Sequence, residues 1–187
     1  MTTTGFDDPA NIAITMITSF NGILYAGTGN TVASAQIWRS PSGTAGTWSQ
    51  VAPDDSGLAG NITGFTVFKC TLYAAIESNS SDQTMQVWRS DDGVNWQLVM
   101  GDGFGDPGNV EVESLANFNG MLYAAPYNTT TGMELWASAG GTDWSQAITG
   151  GFGDSPNFST LWSNATLTYR RAFLMGTWNY GTGGEIW

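Results

Sequence analysis

The groups in this 187-residue chain best able to do chemistry are carboxylates and aromatic rings, because it has no histidine and one cysteine, Cys70. The commonest general base and the usual zinc ligand are therefore missing, and a lone thiol excludes an internal disulfide or a Cys-x-x-Cys metal or redox site. Carboxylate pairs remain. Glu111 and Glu113 stand two apart in "VEVESLANF", and alternate residues of a strand share a face. Two carboxyl groups flanking a glycosidic bond can hydrolyse it, one giving a proton and one acting as base or nucleophile. Two neighbours on one strand face are ordinarily solvated, however, and the sequence assigns no catalytic residue, metal or cofactor.

A second group sits in the loops. "GFDDPAN", "GFGDPGN" and "GFGDSPN" place Asp8, Asp106 and Asp154 at matching positions, and other loops contribute Tyr127, Trp178, Asn179 and Tyr180. Carboxylates and amides beside aromatic rings suit sugars, whose hydroxyls exchange hydrogen bonds while their C–H faces stack on rings. The same aspartates can instead cap their own Gly/Pro turns, and three of them in separate loops are too few for one calcium site.

These residues recur because the chain is a repeat. Four units are legible, at about 5–53, 54–101, 102–150 and 151–187, within one domain spanning 1–187. Trp38, Trp88, Trp136 and Trp187 stand 50, 48 and 51 apart; Asn11, Asn61, Asn109 and Asn157 stand 50, 48 and 48 apart. Each unit holds short β-branched and aromatic runs between Gly, Asn, Asp, Ser and Pro clusters, the mark of a four-stranded meander with strands a to d. "NG" at 119–120 reads as a tight a–b hairpin. Four such units of about 48 residues predict an all-β protein, a four-bladed β-propeller. Phe20, Phe68 and Phe118, with Tyr25, Tyr73 and Tyr123, would fill the spaces between blades.

One turn carries a resemblance. "RSDDGVNW", with Ser90, Asp92, Gly93 and Trp96, resembles the Asp-box or BNR repeat of sialidase-type β-propellers. Sister units read "SPSGTAGTW" and "SAGGTDW", with Ser42 and Gly140 in place of the aspartate. The resemblance implies a structural c–d turn, on the side opposite the usual propeller active site. Asp92 should accept hydrogen bonds from its own backbone. The sialidase Arg-Ile-Pro motif is absent, and Arg39, Arg89, Arg170 and Arg171 are spread over separate elements, which argues against sialidase activity.

The fourth unit ends at Trp187, before a strand d, and "MTTTGFDDP" aligns with "AITGGFGDSP". Met1 to Thr4 are therefore expected to complete the last blade, within one chain or from another copy, because an open sheet edge recruits a strand. Sixteen acidic residues against five basic ones, a net charge of −11, disfavour nucleic acid and anionic membranes, and no run is long enough to span a bilayer. No signal peptide is legible. Sequons at Asn61, Asn79, Asn128, Asn157 and Asn164 fit an extracellular glycoprotein. The sequence reading is thus a non-enzymatic, glycan-binding propeller. Its alternatives are a self-assembling structural module and a glycoside hydrolase of sialidase-like fold.

Overall fold

A computed structural model describes residues 4–52, 59–78, 85–128, 130–154, 156–158 and 166–187. The first unit folds as β1 (Asn11–Phe20), β2 (Ile23–Ser34), β3 (Ile37–Ser40) and β4 (Ser49–Ala52), and the second as β5 (Ala59–Phe68), β6 (Thr71–Ser78), β7 (Gln86–Ser90) and β8 (Gln97–Met100). The third comprises β9 (Glu111–Phe118), β10 (Met121–Tyr127), β11 (Leu135–Ser138) and β12 (Ser145–Ile148). In the fourth, β13 (Thr166–Tyr169) and β14 (Ala172–Met175) form a hairpin, and β14 is extended by a bridge from Gly176 to Ile186. Every consecutive pair within a unit is antiparallel. Among the described residues no helix is long and apolar enough to cross a membrane.

The a–b hairpins turn as their sequences demand. Asn21–Gly22 and Asn119–Gly120 take positive φ at both positions, 50° and 75°, then 48° and 78°, the twist that matches the flanking strands. Lys69–Cys70 is forced into the same shape, φ 49° and 62°, without a glycine to relax it.

The units stack face to face through three apolar cores. Phe20, Tyr25 and Ile37 of the first unit pack with Ile62, Leu72 and Ala74 of the second. Phe68, Tyr73 and Val87 repeat this against Val112, Leu122 and Ala124 of the third, and Leu135 and Met133 meet Met175 of the fourth. The turn glycines belong to these contacts. A Cβ on Gly93 would lie 1.8 Å from the hydroxyl oxygen of Tyr25, and one on Gly141 would lie 1.9 Å from that of Tyr73. Gly93 and Gly141 are thus each the socket for the preceding unit's tyrosine.

Two expectations need correction. The first two units are not separate sheets: β2 continues past β1 and pairs with β5 through Gly29↔Asn61 and Asn30↔Gly60. The cause is local, since a Cβ on Gly27 would sit 2.5 Å from Ile62 Cβ and one on Gly29 would sit 2.5 Å from Asn61 Oδ1. The asparagine repeat also slips. Asn11 and Asn109 lie nine residues before the hairpin residues Phe20 and Phe118, but Asn61 lies seven before Phe68. Asn61 is therefore the counterpart of Glu111, not of Asn109.

The loops entering strand a share a lock that the sequence did not disclose. Phe6, Phe104 and Phe152 adopt φ of 57°, 61° and 63° and stack on Trp38, Trp136 and Trp187 at 4.6, 4.6 and 5.2 Å. Beneath them, Asn109 Nδ2 donates to Gly103 O and Glu134 Oε2, Asn128 Nδ2 donates to Asp106 Oδ2 and Asn109 Oδ1, and Trp136 Nε1 donates to Glu134. Asn11, Asn30, Asp8 and Gln36 build the same network in the first unit. Asn157, Asn179, Asp154 and Glu185 build it in the fourth. A fully connected buried network specifies the loop, because each orphaned member would cost about 1–3 kcal/mol.

Candidate active site

The inner strands carry one irregularity three times. Pairing skips Thr15 between Ile14 and Met16, Thr63 between Ile62 and Gly64, and Glu113 between Val112 and Ser114. Counted from the hairpins, the three are equivalent. A bulge re-aims the extra side chain and is common beside active sites. Here all three bulged residues line one cavity of about 350 Å³, together with Asn61, Glu77 and Glu111.

The cross-strand partners explain what fills it. Asn61 faces Glu77 and Glu111 faces Tyr127, while the matching pair in the first unit is Ala13 and Gly29. The first unit thus supplies space and the next two supply function. Asn61 Nδ2 donates to Glu77 Oε2 at 2.6 Å, and Thr15 Oγ1 donates to Ile62 O at 2.6 Å, tying β1 to β5. Thr63 Oγ1 is buried without a hydrogen-bond partner.

Three carboxyl groups share this cavity, and Glu113 is buried. Arg89 pairs with Asp91 at 2.9 Å, beside the Ser90–Trp96 turn and away from this cavity. Burial, then the charges of Glu77 and Glu113, push the Glu111 carboxyl up to about 8. It is protonated at neutral pH, as a general acid must be. Burial, then the charges of Glu113 and Glu111, also raise the Tyr127 phenol. Among the described residues no group of three or more His, Cys, Asp or Glu is arranged to hold a metal ion.

Of the sequence-predicted aromatics, Tyr127 pairs across the strands with Glu111, which lines this cavity. Tyr127 meets Phe158 at 5.9 Å, and Phe158 meets Trp178 and Tyr180 at 5.4 and 5.7 Å, leaving Tyr180 77% exposed. Phe158, which the loop reading missed, is the ring that joins them. Asp8, Asp106, Asp154 and Asn179 are used inside the loop locks, and Asp8 and Asp106 also cap their turns through Ala10 N and Gly108 N. Asn128 and Asn157 are wholly buried and donate both amide hydrogens; neither can carry a glycan in the folded chain, which corrects that expectation. Asn61 is held in the cavity, while Asn79 and Asn164 lie outside the described residues. So do Met1 to Thr3, and Thr4 begins a short 3-10 turn.

The Ser90–Trp96 turn is self-contained. Asp92 Oδ1 accepts Val94 N and Asn95 N, Oδ2 accepts Asn95 Nδ2, and Ser90 Oγ accepts Gly93 N. Those bonds hold the Asp92 carboxyl far below the usual carboxylate range. Trp96 packs into the core between the first two units. The turn caps the strand ends opposite those bearing Glu111 and Tyr127, on β9 and β10. A separate groove of about 550 Å³ runs along β8, lined by Leu98, Phe104, Trp136 and Trp144, with Asp102 as its one carboxylate.

No protein-family model matches the chain, and no curated protein matches it in sequence. Solved structures do match in shape. An α-L-arabinofuranosidase from Clostridium thermocellum matches with a TM-score of 0.53 and 16% identity, over 87% of this chain and 59% of that one. An endo-arabinase from Bacteroides thetaiotaomicron gives 0.51 and 12%, over 95% and 75%. A family 117 glycoside hydrolase from Zobellia galactanivorans gives 0.50 and 12%, over 96% and 71%. The fold is all-β and propeller-type. The chain spans less than two thirds of the length of the arabinofuranosidase. The reading as a non-enzymatic binding module is overturned here: the propeller-type structures that it matches are glycoside hydrolases. What misled it was Glu111 and Glu113 read as a solvated pair, since a strand pattern shows neither the bulge nor the neighbouring blade that buries them.

Proposed function

We propose that this chain is a glycoside hydrolase built as a four-bladed propeller, with its site where the inner strands of the first three blades converge. The observation that carries the reading is the shared cavity of Glu77, Glu111 and Glu113, in which Glu111 is pushed up to about 8. Glycoside hydrolysis needs one carboxyl group that holds a proton at working pH and a second that acts on the anomeric carbon or its attacking water. Glu111 takes the first role. Glu113, re-aimed by its bulge, takes the second. Asn61 holds Glu77 in place as the third carboxyl group, whose negative charge stabilises the oxocarbenium-like transition state. Tyr127, Trp178 and Tyr180 form the shelf on which adjoining sugar rings stack. The described residues that line the cavity include no Lys or Arg, which fits uncharged sugars.

An arabinofuranosidase and an endo-arabinase are among the similar structures, so arabinan and aryl arabinofuranosides head the substrate panel, followed by other neutral polysaccharides. Release of reducing ends is the assay. The wild-type chain is expected to turn over a member of the panel, and Glu113→Gln to lose at least ~100-fold in rate, the usual scale for a catalytic acid or base. Equal turnover by the variant, or none by the wild type across the panel, refutes the proposal.

A further inference from the structure

The two interfaces among the first three units are built from one pair of faces, and the molecule presents one unused copy of each. On the leading face, Ile37 and Val87 precede the strand-c tryptophan and are 0% exposed; Ile186 precedes Trp187 in the fourth blade and is 80% exposed. Phe20 and Phe68, at the end of strand a, are buried in those interfaces. Their fourth-blade counterpart, Tyr169, paired with Ala172 at the same hairpin position, is exposed. On the receiving face, Ile62 and Val112 are 0% exposed, whereas their first-blade counterpart Ile14, six residues before the hairpin phenylalanine, is 46% exposed. Ile17, which matches the buried Leu115, is 70% exposed.

The chemistry of these positions has not changed. They remain large and apolar, where a surface free of partners carries polar side chains. A leading face of this type is complementary to a receiving face of this type, as two interfaces within the chain already demonstrate. Within one chain the two open faces do not cover each other, because Ile14, Ile17, Tyr169 and Ile186 all stay exposed.

We infer that the occupant is a second copy of this chain, its first blade seated on the fourth blade of its partner. The contact is head to tail, so two copies related by a twofold axis make it twice and close an eight-bladed ring. Closure doubles the buried area, which helps the pair reach the ~1,200 Å² typical of a specific interface. The inference does not rest on any catalytic role, because none of Ile14, Ile17, Tyr169 and Ile186 lines the cavity.

Light scattering on the wild-type chain tests it first, with an expected mass twice 19.9 kDa. Ile17→Asp damages only the receiving face and Ile186→Asp only the leading face, so each variant alone should run as a monomer with an unchanged far-ultraviolet spectrum. Mixed together, they retain one intact pairing and should form a mixed dimer. That recovery also shows that both variants are folded. A monomeric wild type overturns the inference, as does a dimer that either substitution leaves intact, or a mixture that stays monomeric. A further blade from a longer chain or another protein as the true occupant gives the first of these results.

Discussion

Replacing Glu111 by glutamine should flatten the pH dependence of folding stability, and the size and sign of the effect follow from the site. The ordinary carboxyl value of 4.5 applies in the unfolded chain, and the folded value is about 8. Between these limits the folded protein binds a proton that the unfolded chain has released, so stability falls as pH rises through the window. It is fully present below about 4.5 and lost above about 8. At ~1.4 kcal/mol for each tenfold change in proton affinity, the displacement sets a ceiling of ~5 kcal/mol. Solvent screening of a partly exposed group reduces this to about 2 kcal/mol. For a chain of this length that is ~4–8 °C in melting temperature. Glutamine keeps the shape and hydrogen-bonding capacity of the neutral acid without titrating. Urea unfolding at half-unit steps from pH 5 to 9 should therefore show wild type losing about 2 kcal/mol more than Glu111→Gln. Parallel curves for the two proteins would refute the claim that burial and two neighbouring carboxylates hold this proton.

Two further substitutions probe the scaffold. Gly93→Ala places a Cβ against the Tyr25 hydroxyl at φ +73°, while Gly46→Ala adds one at φ +79° facing open space. Urea unfolding should show a loss of about 3 kcal/mol for the first, from backbone strain plus overpacking, against about 1 kcal/mol for the second; equal losses would mean that Tyr25 does not seat there. Cys70→Gly relieves a non-glycine residue at φ +62° and should raise stability by about 0.5–1 kcal/mol after the entropic cost of glycine, read as a higher melting temperature.

The parts of the fold legible in the sequence were those set by local chemistry. Asn119–Gly120 is a hairpin because both residues tolerate positive φ, and the tryptophan spacing exposes the repeat because every strand c needs the same packing. What escaped depends on register across blades. A bulge such as Glu113 leaves no mark in an alternating pattern, since it reads as one more strand residue. Asn61 was matched to Asn109 by residue type, and the pairing with Glu77 shows that it stands two positions further into the strand. Counting back from the Phe68 and Phe118 hairpins would have found this, aligning Asn61 with Glu111 and Thr63 with Glu113. The loop aspartates looked like ligand groups because their amide partners, Asn30, Asn128 and Asn179, lie 22 to 25 residues away in sequence.

The central claim is that Glu111 delivers a proton from a pocket shared with Glu77 and Glu113. The pH dependence of kcat/KM on the best substrate of the panel tests it most directly, because it reports ionisation of the free enzyme's acid. The account predicts a basic limb near pH 8 that is lost in Glu111→Gln, with residual activity surviving mainly on substrates whose leaving groups need no proton. A rate that is flat from pH 7 to 9, or the same limb in Glu111→Gln, would contradict it.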